Sequence, residues 1–240
     1  DLKAVSTIRS IGMRRFWGFY QNGSYSVGCN GKTVYIFDKA GKEIARFNDF
    51  PYAYSAAFMP GKNIIAVKST GGVLGFYDLD SLSLLKKITV TKIGAQDEGF
   101  GFSTDGSFFY NIEKPVCSTR TQLGIYETNS FTKIHTLFAE DEQMVLDELE
   151  IDDETNTCYL LGFIRGINNV FFVAVLDAES QTIQNIRAID KNQYDYLSGY
   201  KHWEITGFTE KSFECSWLKY LAPKHINKTS IKEVYEAFGS

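Results

Sequence analysis

The feature that most constrains this chain is a short signature that recurs five times: an alternating run of β-branched and aromatic residues that ends in an acid. The acids are Asp38, Asp78, Glu127, Asp177 and Glu236, about 40 to 60 residues apart along the 240-residue chain. Alternation with a period of two is typical of half-buried strands. A repeat of this length cannot bury its apolar face alone, so the pattern predicts units that stack on one another.

A second signature precedes each acidic one by a strand and a turn. It is a hydrophobic run that ends in Phe or Ile before a polar turn, and it is clearest at Phe58–Gly61 and Phe102–Gly106. Asn-Gly and Asp-Gly dipeptides in such turns favour tight hairpins. A further strand follows each acidic turn except the last, so each unit has four short antiparallel strands, which we label a to d. Four strands per unit predict the blades of a β-propeller.

Two of these segments, Phe102–Gly106 and Phe76–Leu79, resemble the WD-repeat family. The resemblance extends over nearly the whole chain and implies a propeller. It is one of pattern, because the Gly-His pair of that family is missing from every repeat. The Trp-Asp pair of the family is represented here by Phe37-Asp38, Tyr77-Asp78, Tyr126-Glu127, Leu176-Asp177 and Tyr235-Glu236.

We therefore expect an all-β, single-domain, five-bladed propeller with blades at residues 14–48, 52–91, 97–139, 144–190 and 201–240. The chain ends after strand c of the fifth blade, and we expect an N-terminal strand within residues 3–9 to complete that blade and close the ring, which would hide an unpaired sheet edge. One alternative concerns the C-terminus. Ser230 and Glu233 have the spacing of a helix capping box, which predicts a helix over Ile231–Phe238, whereas the repeat register favours a strand.

Composition excludes several classes of function. With 44% hydrophobic and 22% charged residues the chain is too apolar to be disordered. Its net charge of −4 argues against nucleic-acid binding, and no apolar run is long enough for membrane insertion. No phosphate-binding, metal-binding or catalytic motif is present, so we expect no cofactor, no metal and a monomeric protein. None of the cysteines has zinc-site spacing, which predicts buried thiols and slightly favours a reducing, cytoplasmic location: Cys29, Cys117, Cys158 and Cys215.

Aligning the a strands places one polar or aromatic residue at the same level of each: Arg15, Tyr54, Glu98, Asp147 and Glu204. Strand a lines the central channel of a propeller, so these residues are expected to surround one mouth of it. Neighbouring carboxylates raise one another's pKa, which suits acid–base chemistry or cation binding. The five-bladed glycoside hydrolases, which this predicted architecture resembles, place essential carboxylates at one end of the channel. The plainer interpretation is that strand ends at a solvent-filled mouth are simply polar.

The d–a loops at the same mouth are rich in aromatic residues, namely Trp17, Tyr52, Tyr194, Tyr196, Tyr200 and Trp203. Loops on a rigid scaffold commonly carry function, and aromatic side chains are enriched in binding hot spots. We therefore expect a non-catalytic module or scaffold that recognises a protein or peptide through this loop face, although these tyrosines could also be ordinary cover over the blades. The alternative is a carbohydrate-active propeller, either a glycoside hydrolase or a sugar-binding protein, with Glu98, Asp147 and Glu204 as its acids and Trp203 as a stacking platform.

Overall fold

The computed structural model describes residues 18–91, 98–115, 120–177, 182–198 and 230–238. This part of the chain contains four antiparallel sheets of four strands each, and in each sheet the strands follow one another in sequence order. The four sheets correspond to the first four predicted blades. Their innermost strands lie side by side, since β1 neighbours β5, β5 neighbours β9 and β9 neighbours β13.

The strands fall into four sets of a, b, c and d. Blade 1 comprises β1 (Gly18–Gln21), β2 (Tyr25–Cys29), β3 (Val34–Asp38) and β4 (Glu43–Phe47). Blade 2 comprises β5 (Ala53–Phe58), β6 (Ile64–Ser69), β7 (Val73–Asp78) and β8 (Ser83–Thr89). Blade 3 comprises β9 (Phe100–Phe102), β10 (Phe108–Glu113), β11 (Gln122–Glu127) and β12 (Thr132–Leu137). Blade 4 comprises β13 (Met144–Ile151), β14 (Cys158–Ile164), β15 (Val170–Asp177) and β16 (Thr182–Ile189).

The acids of the repeat hold the turns between strands c and d. The Asp38 Oδ1 atom accepts hydrogen bonds from the backbone N–H groups of Ala40 and Lys42, both at 2.9 Å. Asp78 Oδ1 accepts one from the N–H of Asp80 at 2.8 Å, and this bond is the main reason that the pKa of Asp78 is lowered. A short acid that satisfies its own turn is a well-known use of Asp. The acidic residue, which is the strongest sequence signal of the repeat, therefore has a structural role in the turn.

Each outer strand is interrupted by a bulge in its pairing with strand c, at nearly the same level in all four blades. An exposed aliphatic side chain lies at each interruption: Ile44, Leu85, Ile134 and Ile186. Bulges twist an edge strand and make it a poorer template for another sheet. The blades thus limit edge-to-edge association at the rim.

The core lies between the blades, and the two faces of blade 4 show how it is divided. Cys158 and Leu160 of β14 pack against blade 3, while Tyr159 and Leu161 point to the opposite face. This division follows from the alternation of side chains along a strand. Blade 4 therefore has a second apolar face that also has to be covered.

Two helices cover that second face, where a fifth blade was predicted. Helix α1 (Lys191–Ser198) follows β16, where Tyr194 and Tyr196 were predicted to lie in a d–a loop, and buries Leu197. Helix α2 (Ile231–Glu236) buries Ile231 and Val234 in the same apolar cluster. The prediction that the last acidic signature forms strand c of a fifth blade is therefore wrong.

Local capping explains why α2 is a helix. Ser230 Oγ accepts a hydrogen bond from the backbone N–H of Glu233 at 3.1 Å, and the Glu233 carboxylate accepts one from the N–H of Ser230 at 2.8 Å. Both halves of the capping box are thus formed. Ile231 and Val234 are three residues apart, so in a helix they share one face, whereas in a strand they would point to opposite faces.

Blade 4 also supplies polar partners to α2. The N–H of Ile231 donates to Glu150 Oε2 at 2.8 Å, and Lys232 forms an ion pair with Asp152 at 3.0 Å. The rings of Tyr235 and Tyr159 lie 5.4 Å apart. These contacts fix the position of α2 on blade 4.

The other elements of the predicted fifth blade, at 201–229, and the closing strand at 3–9 lie outside the described residues. The described part contains four sheets and shows no closure, so ring closure stays a prediction. Cys29 and Cys158 are buried free thiols, as predicted, and burial raises the pKa of Cys29 to about 12. Cys117 and Cys215 lie outside the described residues. Within the described part, no helix is long and apolar enough to cross a membrane.

Candidate protein-interaction face

Six of the eleven predicted site residues belong to the part of the chain that the structure describes. These are Tyr52, Tyr54, Glu98, Asp147, Tyr194 and Tyr196. Arg15, Trp17, Tyr200, Trp203 and Glu204 lie outside it. We call the end of the blades that carries the d–a loop at 48–52 and the b–c hairpins at 70–72 and 165–169 the loop face.

Tyr52 is the most prominent side chain of the loop face. Its ring is 63% exposed, although its backbone has a φ of +60°, a left-handed conformation that bulky residues rarely adopt. Backbone hydrogen bonds hold it on both sides, from its own N–H to the carbonyl of Gly31 and from the N–H of Thr70 to its carbonyl at 3.0 Å. Its ring passes close to Gly71 of the b–c hairpin. Blades 1 and 2 together therefore present this ring to solvent on a fixed backbone.

Tyr54 is the second residue of β5, and its side chain is half-buried. It lies one residue beyond Ala53, whose carbonyl accepts a hydrogen bond from the N–H of Gly31 at 2.9 Å. Tyr54 is thus close in sequence and in space to the anchored backbone of Tyr52. Its predicted place on an inner strand is the one that the structure gives it.

Glu98 is buried just before the inner strand of blade 3, where its carboxylate forms an ion pair with Lys114. The neighbouring ammonium of Lys68, itself 2% exposed, donates to the carbonyl oxygens of Glu98 at 2.7 Å and Ile112 at 2.8 Å. Lys68 comes from blade 2 and both acceptors from blade 3, so this contact joins the two blades. Sequence reasoning missed Lys68, because a lysine in a strand ordinarily indicates an exposed position.

Asp147 lies on the adjacent inner strand, β13. The N–H of Gly99 donates to the Asp147 carbonyl at 3.0 Å, so the backbone next to Glu98 touches the backbone of Asp147. Gly99 is required there, because a Cβ atom would lie 2.6 Å from the backbone nitrogen of Leu149. Glu98, just before β9, and Asp147, on β13, therefore lie at the same end of neighbouring blades.

The tyrosines of α1 pack against blade 4 rather than extending into solvent. Tyr194 donates a hydrogen bond to Asp147 Oδ2 at 3.3 Å, and its ring lies 4.6 Å from that of Phe171. Burial, with the charge of Asp147 as a second cause, raises the pKa of Tyr194. Tyr196 is half-buried and packs on the second apolar face of blade 4. These two residues correspond to the interpretation of the tyrosines as cover over the blades.

The contacts of the acids bear on what the site can do chemically. Glu98 is paired with Lys114, and Asp147 accepts a hydrogen bond from Tyr194. Both acids thus have structural partners within the propeller. Among the described residues, no group of three or more His, Cys, Asp or Glu residues could hold a metal ion.

Ile167 is an additional feature of the loop face that sequence reasoning missed. It lies in the b–c hairpin of blade 4 and its side chain is fully exposed. The hairpin is anchored by the N–H of Arg165, which donates to the carbonyl of Gln143 at 2.9 Å. An aliphatic residue within the polar turn 166–169 was the available signal, because turns of that composition normally expose polar side chains.

Comparison with known proteins identifies the fold. No protein-family model matches the sequence, and no curated protein matches it significantly. Among solved structures, the chain is similar to the WD40 domain of coronin from Toxoplasma gondii, with a TM-score of 0.56 and 12% identity. The match covers 72% of this chain and 45% of that one, so this chain spans less than half of its length. The described part thus has the fold of a WD-repeat-like β-propeller.

Proposed function

We propose that this protein is a non-catalytic propeller module that binds a protein or peptide partner through its loop face. The observation that carries the proposal is the presentation of Tyr52. A large ring is left 63% exposed on a backbone that is held in a left-handed conformation by hydrogen bonds to its neighbours. Backbone strain of this kind persists only where the surrounding structure enforces it, and it concentrates at functional sites.

A fixed aromatic ring is well suited to partner binding. Binding loses free energy to the ordering of side chains and loops at the interface, and a backbone that is already fixed reduces that loss. Tyrosine also offers a large contact area with few rotatable bonds. Tyr52 thus has the properties of an interface anchor.

Ile167 extends the proposed surface. It lies on the b–c hairpin of blade 4, at the same end of the blades as Tyr52 in blade 2. Apolar side chains that are exposed in this way become buried when a partner covers them. The proposed interface therefore runs from Tyr52 towards Ile167. The WD40-like fold is compatible with such a role but does not by itself assign it.

The carbohydrate-active alternative has less support. It requires acids that are available to a sugar, whereas Glu98 is buried and paired with Lys114, and the half-buried Asp147 accepts a hydrogen bond from Tyr194. A carboxylate with a structural partner is a weaker candidate for general acid or base than one aimed into an open cleft.

Replacing Tyr52 with asparagine tests the proposal. Asparagine tolerates a positive φ, so Tyr52→Asn removes the ring while the backbone is preserved. We expect partner affinity to fall at least tenfold, or about 1.4 kcal/mol. The matched control is Ile44→Ala, which removes an exposed side chain at the rim of blade 1 and is expected to leave affinity unchanged.

The measurement has two steps. Wild-type and variant proteins are immobilised, captured proteins are quantified from an extract of the source cells, and the dissociation constant of the strongest partner is then measured for each variant. Equal affinity for wild type and Tyr52→Asn would contradict the proposal. So would an equal loss of affinity on Ile44→Ala, because that residue lies away from the loop face.

A further inference from the structure

A groove lies at the rim of the propeller, between the outer strand of blade 2 and the outer hairpin of blade 3. Its volume is about 270 Å³, and we call it the blade 2–3 groove. It is distinct from the loop face and involves no residue of the predicted site. Its lining residues are Lys86, Ile88, Thr89, Val90, Tyr126, Phe131, Thr132 and Lys133.

The alternation of β8 directs one set of its side chains into this groove. Lys86 and Ile88 line it, whereas Lys87 turns to the opposite face, where its ammonium donates to the carbonyl of Asp49 at 2.8 Å. β8 pairs with β7 on one side, and no strand of the described part pairs with its other edge. The groove therefore runs beside a strand edge that no described strand covers.

The walls of the groove combine apolar surface with positive charge. Ile88, Val90 and Phe131 supply the apolar part, and the ring of Phe131 is fixed by stacking on Phe76 at 4.2 Å. Of the residues that the structure describes, two lysines line the groove and no carboxylate does.

The two lysines differ in their surroundings. The Lys133 ammonium binds the buried carboxylate of Glu113 at 2.6 Å, so the positive charge of Lys133 already has a negative partner inside the propeller. Lys86 is exposed on β8, and no residue lining the groove offsets its charge. An occupant that meets Lys86 should therefore carry a negative charge.

We propose that the blade 2–3 groove binds an extended peptide segment in which every second residue, either apolar or acidic, faces the groove. The segment adds to the open edge of β8 as a further strand, with its apolar side chains against Ile88, Val90 and Phe131. Its acidic side chains meet Lys86, which shares the groove face of β8 with Ile88, and the Thr132 hydroxyl group. Strand addition obtains affinity from backbone hydrogen bonds and specificity from alternate side chains.

The bulge in β8 sets where this docking begins. The pairing of β7 with β8 shifts between Phe76 and Tyr77, opposite Leu85, and it is regular from Lys86 to Thr89. A regular edge is a template for pairing, whereas a bulged one is not. The groove and the regular part of the edge coincide, which favours a short segment of a few residues.

Fluorescence anisotropy with a defined probe tests this inference. The probe is a fluorescein-labelled peptide of about nine residues in which serine alternates with either glutamate or leucine, so that the glutamates and the leucines share one face of the extended peptide. We expect saturable binding with a dissociation constant below about 1 mM. The affinity should fall at high salt, because ions screen the attraction between the charges. The same peptide with lysine in place of each glutamate should bind at least tenfold more weakly, and so should the acidic peptide when alternate backbone amides are N-methylated.

Variants of the protein locate the site. Lys86→Glu reverses an exposed charge and is expected to weaken binding of the acidic peptide at least tenfold. Lys39→Glu makes the same change in an exposed turn of blade 1 and should have no effect. Lack of binding at about 1 mM would overturn the proposal. Equal affinity for the acidic and basic peptides, or equal effects of the two variants, would overturn it as well.

Discussion

Glu113→Ala is expected to lower the free energy of unfolding by about 3 to 5 kcal/mol, the usual cost of breaking a buried ion pair. Glu113 ends β10 and is fully buried. Its carboxylate binds the Lys133 ammonium at 2.6 Å and the Gln122 amide at 2.9 Å. It also accepts a hydrogen bond from the Tyr126 hydroxyl, and burial together with the Glu113 charge raises the pKa of Tyr126. Alanine would leave these donors, and the Asn111 amide that also donates to the carboxylate at 3.3 Å, without this acceptor.

Glycine at position 124 makes this arrangement feasible, because a Cβ atom there would lie within 2.4 Å of a Glu113 oxygen. Urea denaturation of Glu113→Ala, Lys133→Met and the double variant would measure the coupling. We expect the double variant to be less destabilised than the sum of the single variants, because the pair is then removed together. Additive effects, or a loss below about 1 kcal/mol for Glu113→Ala, would show that the pair contributes little.

Lys68→Met is expected to cost about 2 to 4 kcal/mol, because two buried carbonyl groups would each lose a charged donor. Methionine keeps much of the apolar stem of lysine, so the change isolates the ammonium group. That ammonium bonds the carbonyls of Glu98 and Ile112 at 2.7 and 2.8 Å and thereby ties blade 2 to blade 3. The variant should therefore loosen the contact between these two blades.

Equilibrium denaturation in urea measures the loss, with Lys62→Met as the control. Lys62 is exposed in the a–b turn of blade 2, and its replacement should change stability by less than about 0.5 kcal/mol. If Lys68→Met were as stable as Lys62→Met, the bridging role of Lys68 would be wrong.

The repeat pattern predicted the four described blades well, because each blade is specified locally. Alternating apolar residues define the strands, and acids such as Asp38 and Asp78 hydrogen-bond their own turns. Such features involve residues close in sequence, so they are visible in the sequence alone. The proximity of Glu98, just before β9, to Asp147 on β13 agrees with the same alignment.

The roles of the site residues were harder to predict, because they depend on contacts between distant segments. Glu98 meets Lys114, and Lys68 reaches blade 3 from blade 2. The exposure of Tyr52 depends on hydrogen bonds from both blade 1 and blade 2. No sequence pattern reports whether an acid or an aromatic ring at a strand end is paired or presented.

The C-terminus shows two sequence signals in conflict. The repeat register extended the acidic signature to Glu236, whereas the capping box formed by Ser230 and Glu233 indicated a helix. The local helical signal prevailed, because the capping box closes fully and Ile231 and Val234 are buried on blade 4. A register that depends on a single weak copy of a motif is a poor guide against complete capping.

The central structural claim is that α2, rather than a strand of a fifth sheet, covers the second apolar face of blade 4. A nuclear Overhauser spectrum of protein labelled at its tyrosine rings tests this most directly. The account predicts cross-peaks between the rings of Tyr159 and Tyr235, which lie 5.4 Å apart, together with helical chemical shifts over Ile231–Glu236. Strand-type shifts over this segment, with no contact between the two rings, would contradict it.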